Sequence, residues 1–155
     1  MARKLRILAV LLILPLLLAS AGPADDGRWY AGSYSFSDEL GGFRILSVRG
    51  TGTKADPVEI SEELYSADPV TLVIRATHRL PASQTGTLHL RIAVLNRSGL
   101  SWIEFAFELQ EIRGKPSGFY DGLSFAQVNP DPDLVSSDRF ASVESRFESF
   151  DSLRF

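Results

Sequence analysis

Residues 87–109 read TLHLRIAVLNRSGLSWIEFAFEL, and their period decides the fold class. Leu88, Leu90, Ile92 and Val94 alternate with His89, Arg91 and Ala93. After Asn96-Arg97-Ser98-Gly99, Ile103, Phe105, Phe107 and Leu109 alternate with Glu104, Ala106 and Glu108. A period of two puts one apolar row down and one polar or small row up, as a half-buried strand requires. Four polar residues between two such runs are hairpin length. The expectation is a hairpin whose two apolar rows face one core.

Working outward, Val70–Thr77 is rich in β-branched residues and reads as a strand. Phe43–Arg49 reads as another, with Phe43, Ile45 and Ser47 on one face and Leu46 and Val48 on the other. Trp29–Phe36, with three aromatics, reads as a first strand. Gly50-Thr51-Gly52-Thr53 with Asp56-Pro57 forms a turn cluster, and Pro81–Gly86 a polar connection suited to a hairpin between 70–77 and 87–95. Short strands set off by Gly, Pro and Asp predict an all-β fold: an antiparallel β-sandwich, Ig-like or jelly-roll-like. Ser136–Phe150 is the best helical stripe, with Phe140, Val143 and Phe147 spaced for one face. An irregular loop with aromatic anchors fits those residues equally. Ser149–Phe155 reads as a strand that begins and stops, so the sandwich is expected to be incomplete at its C-terminus.

The start of the chain has a different logic. Arg3, Lys4 and Arg6 precede an apolar run to Leu18, and Ala19-Ser20-Ala21 supplies small residues. That is the three-part pattern of a secretory signal peptide, residues 1–21. The apolar run Ile7–Leu18 is short of the roughly 20 residues that cross a bilayer. Residues 22–155 are expected to form a single domain with a flexible start over 22–27. The chain has 16 Lys+Arg and 19 Asp+Glu, a net charge of −3. The leader holds three of those basic residues and none of the acidic ones, so its removal takes the net charge to −6. Such a chain lacks the footprint of a nucleic-acid binder and suits an anionic membrane poorly. There is no cysteine, which excludes disulfides, thiolate metal sites and thiol catalysis. The expected location is secreted or periplasmic, away from the membrane once the leader is cleaved.

Candidate chemistry is sparse. His78 and His89 are the only histidines. A hairpin between their strands would bring them together, but no third ligand or nucleophile has a telling spacing. Glu62-Glu63 and Glu104 with Glu108 can be posed as carboxylate pairs. The latter lie roughly 13 Å apart along a strand, too far for paired-carboxylate hydrolysis. Asp131, Asp133 and Asp138, in and beyond the Asn129–Asp133 proline-rich loop, are oxygen donors of the kind calcium takes, without EF-hand spacing. Trp102 is placed with Glu104 on an outward face, where it could serve as a sugar-stacking platform. Asn96-Arg97-Ser98 matches a glycosylation sequon.

Residues 94–109, with Asn96, Ser98, Gly99, Trp102, Phe105, Glu108 and Leu109, fit the pattern N-x-[ST]-G-x-x-W-x-x-F-x-x-E-L. Gly114-Lys115-Pro116-Ser117 and Asp121-Gly122-Leu123-Ser124-Phe125 continue it. This stretch resembles uncharacterised exported bacterial β-sandwich proteins, including domains of proteins with C-terminal sorting signals. The resemblance spans Trp29–Phe155 and rests on structural motifs. It implies a sandwich and an exported protein, and brings no catalytic residues.

The functional expectation is an exported, non-enzymatic β-sandwich acting as an interaction or structural module, with a protein or glycan partner and no cofactor. The alternatives are a calcium-dependent binding module using the 129–138 loop and a secreted hydrolase of unrecognised type.

Overall fold

A computed structural model of the chain describes residues 22–78, 86–118, 123–125, 135–146 and 152–155. The described residues are all-β, with no helix. Among them, accordingly, there is no helix long and apolar enough to cross a membrane. The strands are β1 (Trp29–Ala31), β2 (Tyr34–Ser37), β3 (Phe43–Arg49), β4 (Val58–Leu64), β5 (Val73–Ala76), β6 (Leu90–Asn96), β7 (Ala106–Glu108), β8 (Glu144–Arg146) and β9 (Ser152–Arg154). They form three three-stranded sheets, ordered β1-β2-β5, β3-β4-β6 and β7-β9-β8.

The first expected strand, Trp29–Phe36, is two strands. Gly32 has φ +55° and lets the chain reverse, so that Trp29 pairs with Phe36. A β-carbon on Gly32 would also run into the backbone of Thr51. Glycine is therefore required both by φ and by close approach.

β4 is the buried centre of the second sheet, antiparallel to β3 and parallel to β6. Val58 and Ile60 are fully buried. The V-E-I-S-E-E-L order hides a strand behind three glutamates; Val58, Ile60, Glu62 and Leu64 form its core row. In β3 the register shifts between Ile45 and Ser47. This bulge inserts Leu46 as an extra, exposed residue and returns Val48 to the row of Phe43 and Ile45. The expected facing of Val48 is thereby reversed.

The main core joins Trp29, Ala31 and Phe36 of the first sheet to Phe43, Ile45, Val48, Val58, Ile60 and Leu64 of the second. Each large side chain fully removed from water there contributes about 1.5–3 kcal/mol. Trp102 and Phe105 pack against its edge.

Both expected hairpins are absent. β5 pairs with β2, and β6 lies parallel to β4, so the sheet is mixed rather than purely antiparallel. The chain leaves β6 after Asn96, and only Ala106–Glu108 of the second alternating run becomes a strand, paired with β9. The common inward row is not formed: Ile103 is 95% exposed, while Phe105 and Phe107 are half-buried. Alternation fixes which residues share a face of a strand; it carries no information about which strand lies alongside. In the region expected to be helix or loop, Glu144–Arg146 is β8, and 147–150 lie outside the described residues. The last strand, β9, is paired on both sides, and Phe155 exchanges backbone hydrogen bonds with Phe105 at 2.9 and 3.1 Å.

Candidate functional site

β4 carries acidic side chains on both faces, in opposite environments. Its outward row is Glu59, Ser61 and Glu63, because the inward row is taken by the core. Register places Arg49 and Arg91 on either side of Glu59, Ser47 and Ala93 beside Ser61, and Arg44 and Leu95 beside Glu63. Arg97 follows β6 and closes the last corner, its N–H donating to the Leu64 carbonyl.

Two ionic ladders result. Glu59 accepts from Arg49 Nε at 2.6 Å and from Arg91 Nη1 at 2.8 Å. Glu63 lies 3.0 Å from Arg44 Nη2 and 3.7 Å from Arg97 Nε, and accepts from the Tyr65 hydroxyl. The Arg49 hydrogen bond holds the Glu59 carboxyl below the usual carboxylate range, with Arg91 adding to it. The Tyr65 hydrogen bond does the same for Glu63, with help from Arg44 and Arg97, and Tyr65 is raised in turn. The glutamates are sheltered and the arginines stand outside them: the Arg49 and Arg91 side chains are 78% and 70% exposed, against 28% for Glu59. Between the ladders lies a floor of short side chains, Ser47, Ser61 and Ala93.

On the other face, the Glu62 side chain enters the core row between Ile60 and Leu64, opposite Ile45 and Val94. Burial alone pushes its carboxyl up to about 7. A carboxyl in apolar surroundings can be a general acid or base. Here it is 5% exposed and packed within a core, so it has no route to a substrate. Trp102 Nε1 is buried with no hydrogen-bond partner among the described residues. Its ring begins an aromatic run, Trp102–Phe105–Phe107–Phe155, with centroids 5.6, 5.1 and 6.0 Å apart.

The residues singled out from the sequence do not converge. Asp131 and Asp133 lie outside the described residues. Asp138 is exposed, 3.7 Å from Arg139 Nε. Among the described residues no group of three His, Cys, Asp or Glu could hold a metal ion. Trp102 is half-buried against the core edge. Glu104 lies outside β7 and pairs with Arg154 at 3.1 Å. Glu62 and Glu63 face away from each other. His78 is exposed beside Thr77, whereas the backbone of His89 links Gly52 to Val58. No hairpin joins the two histidine strands. In the sequon, Asn96 Oδ1 accepts from Ser98 and Nδ2 donates to the Leu100 carbonyl at 2.7 Å, closing the turn.

The ladders were not foreseen. Their one sequence signal is the Glu-x-Ser-x-Glu alternation of β4, which sets those residues on one face; the arginines beside them come from β3, from β6 and from the residue just after β6. Comparison with known proteins finds no family model, curated protein or solved structure that matches the chain.

Proposed function

We propose that this chain is an exported, non-enzymatic β-sandwich, secreted or periplasmic, that works as an interaction module through the outer face of β3, β4 and β6. The observation that carries this is the array of four outstanding arginines around two sheltered glutamates on that face. Exposed ion pairs add little stability, at most about 1 kcal/mol each, so stability alone does not account for six charged residues on one sheet face. Arginine and tyrosine are the residues in which binding surfaces are enriched. The core shared by two sheets supports the sandwich reading. The leader pattern of residues 1–21 supports export, although those residues lie outside the described ones. The similarity to exported bacterial β-sandwich proteins belongs to the same proposal.

Site-specific photo-crosslinking in cells tests it. A crosslinking side chain at Leu95, exposed on the array, should give a discrete adduct. One at Asp68, on an exposed loop, should not. Equal adduct formation from both positions, or none from either, would remove the face from consideration as a binding surface.

A further inference from the structure

The two ladders bound a shallow trough running across the strands. Its banks are the Glu59 and Glu63 rows, four residues apart on β4 and so roughly 13 Å apart by strand rise. Its floor is Ser47, Ser61 and Ala93, directly opposite one another. Four arginines against two glutamates leave the face at +2, on a chain whose net charge is −3. The guanidinium groups are not exhausted by the ladders. Arg91 gives Nη1 to Glu59 and Arg44 gives Nη2 to Glu63, and each guanidinium has five N–H donors in a planar fork that matches a carboxylate. The glutamates orient these forks beforehand.

We infer that the trough takes a linear polysaccharide bearing carboxylates, held by the arginine banks over a hydroxyl-lined floor. This rests on the reading of that face as a binding surface. Charge complementarity calls for an anionic chain. The floor favours a hydroxylated chain, since the side chains directly across the three strands are two hydroxyls and a methyl, with exposed Leu46 and Leu95 beside them as apolar contacts for sugar rings. Tyr65, 49% exposed, stands at the Glu63 bank with its hydroxyl tied to Glu63, so its ring is a fixed apolar surface for a sugar ring.

Affinity electrophoresis of the whole exported protein through gels containing polygalacturonate tests this. The polymer should retard the protein, less so as salt is raised, and its fully methyl-esterified form should not. Arg91→Gln and Arg44→Gln should each weaken retention about tenfold, the worth of a charge-assisted hydrogen bond. Arg113→Gln, which removes the same charge from a turn outside the face, should leave retention unchanged. Ala93→Tyr should abolish retention by filling the trough while the net charge and melting temperature stay the same. Absence of retardation, equal weakening by Arg113→Gln, or equally strong retardation by poly-glutamate would overturn the inference; the last would make the occupant an acidic peptide. If retardation is absent while the Leu95 adduct persists, the face is a binding surface and only the ligand class is wrong.

Discussion

Glu62 and Glu63 are chain neighbours whose carboxyls sit on opposite faces of β4 and are driven in opposite directions. Burial raises Glu62 to about 7, while Tyr65 and two arginines hold Glu63 below the ordinary carboxylate range.

This split gives stability a pH dependence from both sides. Glu62 is protonated in folded and unfolded chains below about pH 4.5, where its burial carries no ionisation cost. As pH rises from about 4.5 towards 7 the unfolded chain ionises while the fold holds Glu62 neutral, so about 3 kcal/mol has been lost once pH passes 7 and the folded carboxyl ionises too. Glu39, lowered to about 2 by Arg75 and Ser37, and Glu59 and Glu63 act in the other direction. Their contribution is present above about pH 4.5 and lost as pH falls towards their folded values. Stability should therefore peak near about pH 5. Urea unfolding at pH 5 and pH 8 should show the loss in the natural chain and much less of it in Glu62→Gln. Parallel losses in the two would mean that Glu62 is ionised in the fold.

The core prediction separates residues that alternation treats alike. Phe36→Ala, at a fully buried position, should cost about 3–5 kcal/mol, enough to unfold a domain of ordinary stability. Ile103→Ala should change stability by less than about 0.5 kcal/mol, since Ile103 is almost wholly exposed. Denaturant midpoints decide it: a large loss from Ile103→Ala would place that residue in the core.

Gly32 and Gly27 both have positive φ, yet only Gly32 has backbone where a β-carbon would go. Gly27→Ala should cost about 1–2 kcal/mol, from conformation alone. Gly32→Ala should cost clearly more, because Thr51 must also move. Equal melting temperatures for the two variants would show that the β1–β2 turn does not press on the β3–β4 connection.

Trp102→Phe should be close to neutral. The smaller ring gives up contact with Phe105, but the substitution also removes a buried donor whose lack of a partner costs about 1–3 kcal/mol. Trp102→Ala loses the packing as well and should be plainly destabilising. If Trp102→Phe destabilises as much as Trp102→Ala, the indole N–H has a partner in solution.

Much of the strand content was legible in the chain because alternation is a local property. Leu90, Ile92 and Val94 share a row, as their spacing requires, and the strands 43–49 and 73–76 fall inside the expected runs. The Leu46 bulge was not legible, since one extra residue leaves the composition of a strand unchanged while reversing its faces. Nor was β4, whose core row contains a glutamate. The candidate site was hidden for a stronger reason: its arginines lie on or just beyond other strands, each up to 34 residues of chain from the glutamate it pairs with.

The sequence by itself determined that this is a β protein, with glycines at its reversals and no thiol chemistry, because backbone preference and side-chain period act over a few residues. The tertiary structure alone decided that β6 runs parallel to β4, that β7 pairs with β9, and that Glu59 meets Arg49 and Arg91. Strand pairing is a choice among many edges of similar hydrogen-bonding capacity, settled by which arrangement buries Phe36, Val58 and Ile60 together. That choice also put one glutamate of β4 in the core and its neighbour among arginines.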